Sequence, residues 1–341
     1  MKFTYLQTVN GGSCEPESPS IKGSAELTLL ELLRRQKYQL VGNHSAVKKC
    51  RWLHKSLTEG RACYKSRFYG IESHRCLQMT PSVNWCTQRC LYCWRIQHGE
   101  AQVSLSGLKP PEWDDPLELV ELSKAAQRRI LSGYKGQAAS GKANPRRYRE
   151  ALEPKHAAIS LTGEPTLYPY IDGLLSEFHR VGMTTFLVTN GTRPDVLKRL
   201  SEEPTQLYVS VSAPTPERYM EVCRPYSPDS WQRVMETIEH LRSFSCPTAV
   251  RLTLVKGVNL QDHEGYARLI LRAEPTYVEA KSYMYVGYSR RRLGFENMPT
   301  HQEISEFSMR LAGLTGYNVI DESRESRVVL LSRLGKAIRV T

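Results

Sequence analysis

Cys86, Cys90 and Cys93 stand in the run W-C-T-Q-R-C-L-Y-C-W, with three and then two residues between them. Three thiolates on one short loop can grip three irons of a 4Fe–4S cube and leave the fourth without a protein ligand. Most cluster proteins fill all four positions with cysteine. An open iron is useful when a small molecule must bind it, so the triplet points to reaction chemistry more than to structure. Zinc is the competing reading, but a zinc site takes four ligands, usually from paired C-x2-C or C/H motifs. Only one such pair is present here, and His98, just past Cys93, stands at no standard spacing. An odd total of 9 cysteines with no secretory leader argues against a disulfide framework.

Cys50, Cys63 and Cys76 lie upstream at even intervals, in K-K-C-R-W, R-A-C-Y-K and H-R-C-L-Q. Three cysteines beside a cluster triplet suggest a second cluster, again with three protein ligands; three ordinary buried thiols are the alternative. The basic neighbours are expected to lower the thiol pKa and favour the thiolate. Cys14, Cys223 and Cys246 show no spacing logic and read as structural.

The net charge of +12 is uneven. Ten Lys/Arg stand against Glu59 and Glu72 between positions 46 and 99, nine against Glu150 and Glu153 between 124 and 155, and Arg290, Arg291 and Arg292 form a third focus. Interleaved Trp and Tyr favour a polyanion such as RNA over a merely solvated face. There is no apolar run of membrane-spanning length. The chain therefore reads as cytoplasmic, where reduced thiols and clusters survive.

Residues 1–24, rich in Gly, Ser and Pro, read as a flexible start, and 25–38 as an amphipathic helix. Residues 25–76 form a basic extension with the second cysteine set, and 77–341 the core. Asp115 caps a helix with Pro116 in its first turn, and 134–155 is a basic insertion. Strand-like runs at 77–83, 157–162, 184–189, 207–213, 249–255 and 277–284 alternate with helical patterns, which implies a parallel sheet. A helix opened by Thr300, with Glu303 completing a capping box, precedes a last strand at 327–332. About six βα units are too few for a closed eight-stranded barrel. The expected fold is an α/β partial, open TIM-type barrel whose wide mouth admits a bulky substrate.

Reactive groups in such folds sit at the C-terminal strand ends. There the chain places the triplet loop, T-G-E-P-T with Gly163 and Glu164, T-N-G with Asn190, then Ser210 and Ser212, Arg251 and Thr253, and Lys281 and Tyr283. Each alone also suits a turn or cap; together they converge on one rim. Glu164 offers a carboxylate to an ammonium group.

The triplet after strand one, with Tyr92 before its last cysteine, resembles the radical S-adenosylmethionine (SAM) enzymes. T-G-E-P resembles their glycine-glycine-glutamate motif, with Thr162 replacing the first glycine. Longer runs are similar to the branch of that family whose archaeal members are tRNA 4-demethylwyosine synthases. They include G-R-A-C-Y-K-S-R-F-Y-G-I, H-A-A-I-S-L-T-G-E-P-T-L-Y-P-Y and V-E-A-K-S-Y-M-Y-V-G-Y-S-R, and the similarity spans roughly residues 35–333. The resemblance implies condensation of N1-methylguanosine beside the anticodon of tRNA(Phe) with two carbons of pyruvate, closing the tricyclic wyosine base. It implies two 4Fe–4S clusters, on Cys86, Cys90, Cys93 and on Cys50, Cys63, Cys76, with SAM held by Tyr92, Gly163, Glu164, Asn190, Ser212 and Lys281. It also implies an external one-electron donor such as ferredoxin or flavodoxin, since the flavodoxin-like segment of eukaryotic relatives is absent here. The enzyme is expected to be a monomer.

Pyruvate can be anchored by an open iron of the second cluster or by an imine on Lys65. Lys65 also suits a phosphate contact or the surface, and Lys281 is a lesser imine candidate. Trp52, Tyr69, Trp85 and Trp94 are candidates to stack on a flipped base, or else core residues. Neutralising Arg290, Arg291 and Arg292 is expected to weaken tRNA binding without changing iron content. The alternatives are another radical SAM RNA-modifying enzyme, such as a methylthiotransferase, or a non-catalytic iron–sulfur or zinc RNA-binding protein.

Overall fold

A computed structural model of the chain describes residues 29–97, 100 and 112–340. The N-terminal stretch 1–24, Cys14, His98 and most of the expected loop at 97–112 lie outside the described residues.

Ten strands form one sheet: β1 (Tyr38–Val41), β2 (Ser45–Lys48), β3 (Cys76–Thr80), β4 (His156–Ile159), β5 (Thr184–Thr189), β6 (Gln206–Ser210), β7 (Thr248–Leu254), β8 (Tyr277–Ser282), β9 (Asn318–Ser323) and β10 (Val328–Ser332). Their order is β1-β2-β3-β4-β5-β6-β7-β8-β10-β9. The run β3 to β8 is parallel throughout, giving the six parallel strands anticipated. Antiparallel β2 and β10 continue it on either side. The sheet is not closed, and β1 and β9 are its edges.

The helix Pro116–Ser132 begins where expected, with the Asp115 carboxylate accepting from Leu117 and Glu118 N–H. The helix His301–Thr315 carries the Thr300–Glu303 capping box. The insertion folds as two short helices, Lys135–Ala139 and Pro145–Ala151. Residues before Cys76 are integrated with the sheet: β1 and β2 extend it, and Tyr64, Phe68 and Tyr69 of the helix Tyr64–Tyr69 pack with Phe186, Tyr208, Tyr277 and Leu330. The main apolar core lies among the other sheet residues and the outer helices, with Leu174, Phe178, Ile238, Ile270 and Leu311 almost fully buried.

Side chains alternate along each strand. The register sets Ser210 beside Arg251, Arg251 beside Glu279, and Thr253 beside Lys281. One face of the parallel run is therefore polar, and it lines the cavity described next.

Candidate active site

A cavity of about 480 Å³ runs along this polar face, and all six predicted cluster cysteines line it. So do Tyr92, Gly163, Glu164, Asn190, Lys65 and Lys281. The exception is Ser212, which is 1% exposed and lies behind the wall, accepting from Thr253 N–H; Ser210 is the serine that reaches the cavity.

The triplet loop is pinned from several sides. Gly163 sits at φ +73°, and a Cβ there would lie 1.9 Å from the Ser82 carbonyl and 2.7 Å from that of Trp85. Only glycine allows this approach, so it is the second glycine of the family motif that is indispensable here. At the first position the Thr162 carbonyl accepts from Thr80 Oγ1 at 2.5 Å, while its own hydroxyl is buried without a partner among the described residues. Glu164 N–H then donates to Trp85 O at 2.6 Å. Glu164 Oε1 accepts from Thr189 Oγ1 (2.6 Å), Thr166 Oγ1 (2.7 Å) and Thr166 N–H (3.2 Å), and Oε2 accepts from Asn190 N–H at 2.7 Å. Burial raises the pKa of this carboxyl, opposed by these donors. Oε2 retains acceptor capacity for a cationic ligand group. The Asn190 side chain is tied to the loop itself, donating to Thr87 Oγ1 at 2.9 Å and contacting Cys86 Sγ.

Arg95, which sequence reasoning did not single out, and Arg292, which it assigned to tRNA, both hold the triplet loop. Arg95 is 6% exposed and donates to Gln88 O at 2.5 Å. The negative groups acting on it include Cys86, Cys93 and Cys90 when ionised. Arg292, expected to face tRNA, turns inward instead. It donates to Leu91 O at 3.0 Å and to Cys93 O, and pairs with Glu100 at 2.5 Å. A basic triplet in sequence cannot say which member faces the protein. Replacing Arg292 with alanine should speed loss of triplet-bound iron to a chelator by roughly 10- to 100-fold, whereas Arg290→Ala should not; colorimetric iron release from the anaerobic protein measures both. Cys223 is also near and raises the pKa of Cys90, whose thiol donates to Gln88 Oε1 at 3.1 Å.

Cys50 and Cys63 are N-caps of the helices Arg51–Thr58 and Tyr64–Tyr69, and Cys76 is the first residue of β3. Their basic sequence neighbours do not bring their pKa below the usual thiol value. Burial dominates and raises all three, that of Cys63 to about 11 despite Lys65 and Lys281. Arg75, next to Cys76, reaches Glu153 O and Glu72 instead. Metal loading must therefore expel protons from these thiols.

The donor sets fit clusters. Among the described residues, the group of three or more ligating atoms within 4.8 Å of one another is Glu72, His74 and Glu150. Neither cysteine set is so tightly drawn, although three thiolates on one zinc would sit about 3.8 Å apart. Among the described residues, buried Arg95 forms no ion pair with a carboxylate, which suits an anionic thiolate-bound cluster beside it.

Of the other aromatic candidates, Trp52 and Trp94 line the cavity. Trp85 packs edge-on against Trp113, and Tyr69 is fully buried with its hydroxyl on Glu279. That carboxylate, missed in the sequence, accepts from Tyr64, Tyr69 and Tyr208 hydroxyls and from Arg251.

The radical SAM superfamily profile matches residues 80–270, and a profile for wyosine base formation matches 272–333. The S-adenosyl-L-methionine-dependent tRNA 4-demethylwyosine synthase of Pyrococcus abyssi is 54% identical over 306 residues, covering 89% of this chain and 87% of its own. The chain belongs to the radical SAM tRNA 4-demethylwyosine synthases. The synthase of Methanocaldococcus jannaschii is 43% identical, covering 91% of this chain and 97% of its own. A solved structure of TYW1 with a lysine-pyruvate adduct bound superposes at TM-score 0.82 with 41% identity, covering 92% of this chain and 97% of that one. An archaeal TYW1 crystal structure gives 0.75 at 38%, covering 92% and 98%. Membership in this synthase family brings SAM and a 4Fe–4S cluster, and Cys86, Cys90 and Cys93 are the residues that would hold that cluster.

Proposed function

We propose that this enzyme condenses N1-methylguanosine, next to the anticodon of tRNA(Phe), with two carbons of pyruvate to build the tricyclic wyosine base, and that Lys65 anchors the pyruvate. One observation carries this reading: a free lysine amine shares one cavity with both cysteine sets, in a chain 41% identical to TYW1 solved with a lysine-pyruvate adduct.

Two lysines compete for that role, and their surroundings separate them. Burial depresses both to about 8. Lys281 Nζ, however, donates to Ser326 O at 2.9 Å. Lys65 Nζ makes no hydrogen bond among the described residues. It lies over the Tyr208 ring at 3.9 Å and the Phe186 ring at 4.3 Å. An amine that lies over aromatic faces, with Arg251 further disfavouring its charge, can release its proton and attack the keto carbon, with water leaving as the C=N bond forms. Arg251 and Lys281 supply positive charge for the pyruvate carboxylate.

A cluster held by Cys86, Cys90 and Cys93 would supply, with SAM, the radical chemistry that an unactivated N-methyl group requires. Glu164 is positioned to receive the SAM ammonium. Tyr92, Gly163 and the Asn190 backbone shape that end of the cavity, while Lys281 and Ser212 support its walls. Cys50, Cys63 and Cys76 hold a second 4Fe–4S cluster beside Lys65. An external donor such as ferredoxin or flavodoxin supplies the electron, and the enzyme works as a cytoplasmic monomer. No helix among the described residues is long and apolar enough to cross a membrane.

Anaerobic iron and sulfide quantitation tests the two-cluster reading. About eight irons per chain are expected, falling to about four when Cys50, Cys63 and Cys76 are all alanine. Four irons in both proteins would remove the second cluster.

A further inference from the structure

The segment 285–297 has two faces with different work. Inside, a Cβ on Gly287 (φ +60°) would lie 2.4 Å from the Trp94 carbonyl. Tyr288 N–H donates to that same carbonyl at 2.9 Å, and Arg292 grips the triplet loop as described. The segment is thus held rigidly against the cluster loop, in two short 3-10 turns, Gly287–Arg291 and Phe295–Asn297.

Outside, it presents apolar surface in an otherwise basic setting. Phe295 is 65% exposed and Val286 48% exposed. Phe295 stands edge-on to Tyr285, with ring centroids 5.9 Å apart. The guanidinium of Arg290 covers Tyr285 at 5.0 Å and that of Arg291 covers Tyr288 at 5.1 Å. Neither Arg290 nor Arg291 forms an ion pair among the described residues, and Glu296 is the sole acid in the segment. Met284 and Val286 line the mouth of the cavity, so this face borders the opening through which a substrate base must pass.

We propose that this outer face is the landing site for the unpaired bases of the tRNA anticodon loop, with Phe295 as a stacking platform and Arg290 and Arg291 as phosphate contacts. The inference rests on the tRNA reading above and adds where and how the RNA docks. An exposed aromatic ring flanked by unpaired guanidinium groups is the arrangement that single-stranded nucleic acid uses, because every base offers a flat face for stacking and every link a phosphate. A base displaced from the loop stack at this point would enter the cavity directly beside Trp94.

The test is equilibrium binding of a fluorescent anticodon stem-loop to the anaerobic, cluster-loaded enzyme across a salt series. Phe295→Ala should weaken binding about tenfold with an unchanged salt slope. Arg290→Gln and Arg291→Gln should each reduce the slope by about 1. Iron content and RNA-independent SAM cleavage should stay at wild-type levels in all three, because these side chains face away from the triplet loop. Wild-type affinity in Phe295→Ala would overturn the landing site while leaving the enzyme's function intact. Failure of the wild type to bind any tRNA would overturn both. Wild-type RNA affinity combined with slower cluster reduction by the protein electron donor would assign this face to that donor instead.

Discussion

Replacing Lys65 with alanine should reduce wyosine-base formation by on the order of 10³-fold or more, while SAM is still cleaved and iron content is unchanged. The size of the effect follows from what the amine does. Pyruvate is small, and in solution it would have to meet a short-lived substrate radical by diffusion; a covalent link fixes its reacting carbon in the cavity before the radical forms. Lys65→Arg separates the two roles of the side chain, because it keeps a positive charge over Tyr208 and Phe186 yet cannot form an imine. Both variants should fail to retain radiolabelled pyruvate after borohydride reduction, and the wild type should retain it at Lys65 by peptide mapping. Lys281→Ala should still trap label. Label retained by Lys65→Ala and lost by Lys281→Ala would transfer the role to the other strand-end lysine. Turnover by Lys65→Arg at the wild-type rate would leave the open iron of the second cluster as the anchor.

Why one lysine was visible in the sequence and its surroundings were not is a matter of range. The triplet loop, T-G-E-P and the capping box at Thr300 are local patterns that spacing alone makes visible; the capping box forms as read, and the triplet, Gly163 and Glu164 come together on one cavity. The parallel strands were legible because their apolar, β-branched residues dominate each run, even though the face toward the cavity carries polar side chains. β1 (Y-Q-L-V) and β2 (S-A-V-K) were not, being four residues each and mixed in polarity. β9 is a polar edge strand, N-V-I-D-E-S, with no apolar alternation to announce it. The helices at 51–58 and 64–69 were hidden by the cysteines that cap them. Sequence adjacency also misled where the fold decides direction. Arg292 turns in while Arg290 and Arg291 turn out, and the bases beside Cys50, Cys63 and Cys76 do not outweigh burial. Glu279, Arg251 and three tyrosines come from positions up to 215 residues apart, so no window of sequence contains their network.

That network sets the second large effect: Glu279→Gln should destabilise the fold by about 3–5 kcal/mol, read as a lowered midpoint in denaturant under anaerobic conditions. Glu279 is 0% exposed. Its Oε1 accepts from Tyr69 and Tyr208 hydroxyls, both at 2.9 Å, and its Oε2 from Tyr64 at 3.2 Å and from Arg251 Nη2 at 2.8 Å and Nε at 3.1 Å. Glutamine fills the same space but offers one acceptor oxygen, so hydroxyls lose partners and Arg251 keeps an uncompensated charge beside Lys65 and Lys281. Stranding a buried partner costs far more than the net worth of the pair. The pH dependence follows the same logic. Burial raises the Glu279 carboxyl, but Arg251 and Lys65 outweigh it and hold the group below the usual carboxylate range. A depressed folded-state pKa means that the contribution is complete above the unfolded value of about 4.3 and is lost as pH falls through the lower folded one. The wild type should therefore lose this increment only in acid, and Glu279→Gln should lack it at neutral pH already. Replacing Glu279 and Arg251 together, by Gln and Met, should recover part of the loss, because it removes the stranded charge as well as its partner. A double variant no more stable than Glu279→Gln alone would show that the tyrosine hydroxyls, and not the ion pair, hold this end of the half-barrel.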